Sequence, residues 1–482
     1  MDDKIDWIEQ QNFNLVICPD AASYDIEEHK RLWQQGIDCI CLDHHDIPKD
    51  DNGNDILPNK EYAIVVNNQL SPQYTNKSLC GVGVVYKFCE VLDDILGIKQ
   101  AQNYLDLVAL GEIADVMDRT NIETNYLMLE GLSCIENKGF QTLLNAQSFS
   151  LKEKSIFPYS GLTPIDIAFY IAPLINAVTR VGTLEEKEAM LYCFIEPDKL
   201  LPSTKRGAKE GNTEFAAEQA ARVGKNAKSR QDKLKEKALD IIDFKIQKNN
   251  LDSNNIIIVE IEPEDNIAPE IGGLVAMSIV NKYHKPVMIG RKNTKNELQG
   301  SIRSDANFLG LSSFKHFLEE SKLMLYVAGH DNAAGWGLLE NNYEQLLKYG
   351  NTYLNKEDFE NCYLVDYILK AQDNNSELLF ELAKHPELFG NQIDEIKIII
   401  ENISLSNISI MGQNKDSIKI SYNGIDYIKF KDLDFIEEVV NNRMKNLRVL
   451  VRLNINYFAG KTNLQGFIED YEFYKDEKKY DF

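Results

Sequence analysis

The sequence predicts an α/β fold laid out in series: a parallel-sheet domain, a long connecting helix, a second α/β domain and a strand-rich tail. Three observations lead there. Short apolar runs at residues 14–18, 37–42 and 63–67 alternate with helical patterns, an order that builds a parallel sheet covered by helices. Residues 214–245 are polar at helical spacing with neither Gly nor Pro after Gly224, as a connector requires. From about residue 395 the pattern changes to strict alternation, clearest in residues 417–422 before the turn pair Asn423-Gly424.

Each element follows from its neighbours. The first strand, residues 14–18, stops at Pro19-Asp20, and residues 26–35 follow as an amphipathic helix. The second strand runs into Asp43-His44-His45. The third, residues 63–67, precedes helices over 81–96 and 104–113. In such sheets ligands gather at the carboxyl ends of the strands, so Asp20 and Asp43 should meet there although they are far apart in sequence. A second α/β unit begins at residue 255 and runs to about 345, and a helical bridge is expected near 358–384. The domains expected are 1–200, a connector over 201–249, 250–350, a bridge over 351–394, and 395–482.

Composition narrows the function classes. A chain of 482 residues exceeds a single core. A hydrophobic share of 44% excludes wholesale disorder. No apolar run approaches the ~20 residues of a membrane span, and the first 20 residues lack a signal-peptide pattern. The eight cysteines form no CxxC pair and read as buried thiols of a cytoplasmic protein, not as a disulfide frame or zinc site. A net charge of −23 argues against nonspecific coating of nucleic acid. Residues 205–237 are the local exception, with ten Lys/Arg against five Asp/Glu. Arg222, Asn226, Arg230, Lys233 and Lys237 share one helical face there, either solvated or turned to phosphate.

Asp20, His44 and Asp115 are the residue types that hold Mn²⁺ or Mg²⁺, with imidazole favouring Mn²⁺. A pair of such ions about 3.5–4 Å apart both activates water and stabilises a leaving oxygen in phosphodiester hydrolysis. Taken alone, an Asp at a strand end is usually a turn or helix cap. The Asp43-His44-His45 cluster after a buried strand, with Asp20 one strand earlier, points instead to metal chemistry.

These segments resemble the DHH phosphoesterases, and their order resembles the RecJ branch, the 5′-to-3′ single-strand DNA exonucleases. The resemblance rests on LVICPDAAS (15–23), CLDHHDIP (41–48), LVALGEIADVMDRT (107–120), IAPLINAVTRVG (171–182), GSIRSDANF (300–308) and AGHDNAAG (328–335). It implies a DHH catalytic domain, a DHHA1 substrate domain and a C-terminal OB-like β-barrel. It assigns Asp20 as a metal-bridging carboxylate, His44 and Asp115 as ligands, Asp43 as the partner orienting His44, and His45 as the residue near the scissile phosphate. Asn176, Arg180, Ser301, Arg303 and His330 are implied to bind substrate across a cleft of single-strand width. The tail NINYFAGKTNLQGFIEDYE (454–472) resembles the closing strands of the RecJ barrel, where Tyr457 and Phe458 either stack on bases or fill the core.

One departure stands out. The aspartate-rich strand that opens DHH enzymes has no counterpart after Met1: Asp2 and Asp3 precede a helix, and Asp51 and Asp55 lie in a polar loop. The expectation is an incomplete two-metal site, impaired alone or completed by a separate polypeptide that supplies the missing unit. Two other readings remain open, a nanoRNase or cyclic-dinucleotide phosphodiesterase of the same superfamily and a non-catalytic DNA-binding or replisome scaffold.

Overall fold

The computed structural model describes residues 2–48, 54–155, 159, 161–360, 363–373, 376–412, 414–442, 445–458 and 461–474. The chain divides into two compact units, Met1–Ala172 with Val365–Phe482, and Pro173–Leu364.

The first unit opens with α1 (Asp2–Glu9), β1 (Leu15–Pro19), α2 (Ile26–Gln34), β2 (Asp38–Asp43) and β3 (Ile64–Asn67). The strands form a parallel sheet in the order β1-β2-β3. Alternation along β2 sends Cys39 and Cys41 to one face, where they pack with Ile5 of α1 and Leu32 of α2. Ile40 and Leu42 go to the other, under α3 (Gly81–Leu96) and α4 (Leu105–Ala114). Helices α5 (Ile122–Ser133), α6 (Lys138–Ala146), α7 (Ser148–Leu151) and α8 (Pro164–Tyr170) complete the layer. The Thr163–Asp166 capping box starts α8 by satisfying orphan amides at both positions.

The C-terminal part of this unit holds β11 (Tyr367–Lys370), α15 (Ser376–Ala383), β12 (Lys397–Ile403), β13 (Ile408–Met411), β14 (Ser417–Tyr422), β15 (Ile425–Lys429), α16 (Leu433–Asn441), β16 (Asn446–Phe458) and β17 (Lys461–Tyr474). They form one seven-stranded sheet, β11-β12-β16-β17-β15-β14-β13, around Ile398, Ile420, Tyr427, Val449 and Phe435. This corrects the expected helical bridge over 351–394: β11 lies inside it and pairs in parallel with β12, so the C-terminal domain begins about thirty residues before 395. The side chains of Tyr457 and Phe458 lie outside the described ones.

A buried arginine ties the two parts of this unit together. Arg119, 1% exposed, donates to Asn125 Oδ1 and to the carbonyls of Glu387 and Phe389, while its amide meets the Asn391 carbonyl. Asn391 in turn donates to the carbonyls of Glu112 and Ile113 at the end of α4.

The second unit contains α9 (Ala172–Val181), α10 (Leu184–Ile195), β4 (Leu200–Pro202), β5 (Thr213–Phe215) and the 33-residue helix α11 (Ala216–Lys248). A five-stranded sheet follows, ordered β6-β7-β8-β10-β9. Its strands are β6 (Ile257–Glu260), β7 (Val287–Lys292), β8 (Glu297–Arg303), β9 (Met324–His330) and β10 (Ala333–Leu339). α12 (Gly272–Tyr283), α13 (Phe314–Glu320) and α14 (Tyr343–Tyr353) lie among them in sequence. Only β6 and β7 are parallel; the rest of the sheet is antiparallel. The core joins Ile257, Met288, Ile302 and Trp336 to Ile242 and Ile246 of α11. The basic side of α11 is partly neutralised within the unit, because Arg222 pairs with Glu214 at 2.5 Å and Arg230 with Glu186 at 2.5 Å.

Residues 164–181, 18 in number, are long and apolar enough for a bilayer by length and composition alone. Ile167, Ile171, Leu174, Ala177 and Val178 within it are buried in the protein.

Candidate metal centre

The parallel register places the centre. Cys18 stands beside Cys41 and Pro19 beside Leu42, so the next residues of both strands, Asp20 and Asp43-His44, emerge together at the carboxyl edge. Asp20 leaves β1 with φ +59°, its amide donating to the Leu42 carbonyl at 2.7 Å. Asp115 caps the end of α4 and is followed by Val116 at φ +57°. Left-handed backbone at non-glycine residues beside both carboxylates is a strained arrangement of the kind that clusters at functional sites.

These elements converge on His44. Its Nε2 lies 3.1 Å from Asp20 Oδ1 and 3.4 Å from Asp115 Oδ2. Neighbouring donors around an octahedral ion bonded at 2.1–2.3 Å stand about 3.0–3.3 Å apart, close to the two separations from His44; the ligand atoms of Asp20, His44 and His45 lie within 4.8 Å of one another, close enough to hold a metal ion. Burial alone would lower the His44 pKa, but the Asp20 hydrogen bond and the charges of Asp115 and Asp20 outweigh it and raise it.

The sequence reading of Asp43 needs correction. Its Oδ1 accepts from His45 Nδ1 at 2.7 Å, whereas it reaches His44 only through the backbone amide, at 2.8 Å. The reversal at the strand end turns the His45 ring back over Asp43 and leaves the His44 ring facing Asp20. Asp43 is buried, and burial would raise its pKa; hydrogen bonds from His45, Ser23 and the two backbone amides bring it down to about 2. The His45 ring is largely exposed, and one of its nitrogens lies within 4.8 Å of the ligand atoms of Asp20 and His44.

Several supporting residues escaped the sequence reading. Ser23 Oγ donates to Asp43 Oδ2 at 2.7 Å, and Asn67 Nδ2 donates to the His45 carbonyl at 3.0 Å. Asn67 is the strand-end residue paired with Asp43, a position that sequence alone would have flagged. Glu112, fully buried, accepts from the Cys80 amide at the start of α3, and burial pushes its pKa up to about 8. Gly81 has a steric role: a Cβ there would fall 2.4 Å from Asp20 Oδ1.

The remaining candidates belong to the second unit. Arg303 ends β8 against the first turn of α12, where a Cβ on Gly273 would fall 2.4 Å from its Nη2. Burial first, and then repulsion by the charge of Arg180, lowers the Arg303 pKa. Ser301 lies on the same strand beside Gly272. Asn176 is half-buried on α9 and His330 is exposed at the end of β9. Among the described residues neither bonds to the Arg303 group through its side chain.

Comparison with known proteins agrees with this architecture. The model of the DHH family N-terminal domain matches residues 2–112, and that of the RecJ OB domain matches residues 365–470. A putative SPbeta prophage-derived single-strand DNA-specific exonuclease, YorK of Bacillus subtilis, is 35% identical over 473 residues, covering 95% of this chain and 78% of that protein. The chain therefore belongs to the DHH family, in its RecJ branch. The single-stranded-DNA-specific exonuclease RecJ of B. subtilis is 25% identical over 476 residues, of which this chain spans 54% of the length. Among solved structures, RecJ of Thermus thermophilus in complex with Mn²⁺ superposes with a TM-score of 0.71 at 21% identity. That match covers 98% of this chain and 63% of the T. thermophilus chain.

Proposed function

We propose that this chain is a divalent-metal-dependent exonuclease that degrades single-stranded DNA from its 5′ end. The observation that carries the proposal is the approach of Asp20 and Asp115 to His44, with His45 alongside, at the carboxyl edge of the first sheet. The single-strand DNA-specific exonucleases among its relatives, and the Mn²⁺ and Mg²⁺ bound by RecJ of T. thermophilus, support it. A bound Mn²⁺ or Mg²⁺ would supply Lewis-acid chemistry, polarising a phosphoryl oxygen and acidifying water. Asp20, His44 and Asp115 would hold such an ion. His45, oriented through its Nδ1 by Asp43, is assigned to the scissile phosphate. Arg303, Arg180 and Ser301 hold backbone phosphates, and Asn176 and His330 are assigned to the same strand. The C-terminal domain retains the DNA by stacking and charge. The setting is DNA repair or recombination in the cytoplasm. None of the relatives points to a separate polypeptide, and none is proposed.

The test is incubation with Mn²⁺ and 5′-labelled single-stranded DNA, duplex DNA and single-stranded RNA. Stepwise loss of label from the DNA strand, sparing of the duplex and abolition by His44→Ala are expected. Binding without cleavage under Mn²⁺ and under Mg²⁺ would overturn the proposal in favour of a DNA-binding scaffold.

A further inference from the structure

Helix α3 begins without a cap of its own. Cys80, its N-cap residue, makes no side-chain capping bond, and the first and third helical positions are Gly81 and Gly83. A helix start leaves four amides without intrahelical partners. They are ordinarily met by Ser, Thr, Asp or Asn at the N-cap and by a Glu or Gln at the third position, which reaches back to the N-cap amide. In α3 that third position carries no side chain, and a carboxyl from another helix stands in its place. Glu112 of α4, fully buried, accepts from the Cys80 amide through Oε2 at 3.2 Å and Oε1 at 3.3 Å. A Cβ on Gly83 would fall 2.0 Å from Glu112 Oε1, so this carboxyl fills the space that a side chain at the third position would take.

The other glycine of the turn faces the metal centre, because a Cβ on Gly81 would meet Asp20 Oδ1. The first turn of α3 is therefore wedged between two carboxyls, Asp20 against Gly81 and Glu112 against Gly83. Glu112 also stands three residues before Asp115, which caps the end of α4. One side chain thus joins the turn that seats Asp20 to the helix end that presents Asp115. Burial favours the neutral form of Glu112, so the positive end of α3 is left to the Asp20 carboxylate.

We propose that Glu112 is a positioning residue of the metal centre: it completes the capping of α3 from α4 and so fixes the turn that seats Asp20 relative to Asp115. The inference rests on the metal-dependent reading given above. It differs from a general packing role in what the position must supply, which is a hydrogen-bond acceptor at the Cys80 amide. Neither a charge nor mere volume is enough. Glutamine offers the acceptor at the same reach, whereas methionine fills the space without it.

The test titrates Mn²⁺ into the chelator-treated full chain, read by electron paramagnetic resonance, and measures kcat and KM on single-stranded DNA at saturating Mn²⁺. It compares the unmodified protein with Glu112→Gln, Glu112→Met and Leu143→Ala, the last a change in the buried face of α6 that matches the loss of stability. Glu112→Met should weaken Mn²⁺ binding by about 10- to 100-fold and lower kcat, with KM for DNA unchanged. Glu112→Gln and Leu143→Ala should bind Mn²⁺ as the unmodified protein does. Should Glu112→Met not fold, Gly83→Ala takes its place with the same expected loss, since its Cβ drives the carboxyl off the Cys80 amide. Three results would overturn the inference while leaving the metal centre standing: unchanged Mn²⁺ affinity in the folded Met or Ala variant, a comparable loss in Glu112→Gln, or a comparable loss in Leu143→Ala. An unmodified chain that binds no Mn²⁺ would overturn the metal-dependent reading, and this inference with it.

Discussion

Replacing Gly81 by alanine tests whether the metal centre depends on close packing. An alanine Cβ would fall 2.4 Å from Asp20 Oδ1 and 2.6 Å from its Cγ, where ordinary contact begins at 3.4 Å. Asp20 or the first turn of α3 must therefore yield by about 1 Å, against a tolerance of about 0.2 Å for a metal ligand. The helix itself favours alanine by roughly 0.5–1 kcal/mol, and local overpacking costs about 1–3 kcal/mol, so the protein should remain folded. Disturbing a ligand's support typically weakens metal affinity by about 10- to 100-fold, and a 1 Å misplacement slows chemistry by about 100-fold. Mn²⁺ titration followed by electron paramagnetic resonance on chelator-treated protein reads the first effect, and thermal unfolding checks the fold. A folded Gly81→Ala protein with unchanged Mn²⁺ affinity would refute the argument that Gly81 seats Asp20.

Other consequences follow from single residues. Burial raises Glu112 to about 8 from an ordinary 4.5, so the folded state prefers its neutral form. In metal-free protein that contribution is complete below pH 4.5 and is lost as the pH rises through about 8, a change of a few kcal/mol. Glu112→Gln should flatten this part of the stability profile measured by urea unfolding; an unchanged slope would contradict the burial argument. Arg119→Met removes the donor shared by two buried carbonyls and should cost about 3–5 kcal/mol in urea unfolding while adding little at the metal centre. Arg303→Ala should raise the apparent Kd for single-stranded DNA by the loss of a charge-assisted contact of ~1.5–3 kcal/mol, with Mn²⁺ affinity unchanged. A loss of Mn²⁺ affinity in that variant would show that Arg303 acts through folding.

Much of this architecture was legible because parallel strands make position predictable. An apolar run ending in a polar residue marks a carboxyl edge, and the Cys18–Cys41 register then brings Asp20 to His44. The helix bounds of α3 were equally plain, because its apolar face begins at Gly81 and the chain turns at Gly97. What failed to show depended on tertiary packing. Glu112 sits in an apolar helix, and nothing in its spacing distinguishes an inward carboxylate from an exposed one. The choice of Asp43 between two adjacent histidines is made by a turn of the backbone, not by residue type. Strand β11 was hidden because an edge strand of four residues owes its state to its partner β12.

The central claim is that Asp20, His44 and Asp115 hold one divalent ion at the carboxyl edge of the first sheet. Crystals of the chain soaked in Mn²⁺, with anomalous diffraction recorded at the manganese edge, test it most directly. The expected map has a peak bonded to His44 Nε2 and to carboxylate oxygens of Asp20 and Asp115 at about 2.0–2.6 Å. A map in which these three side chains contact no manganese, or in which the ion sits elsewhere, would contradict it.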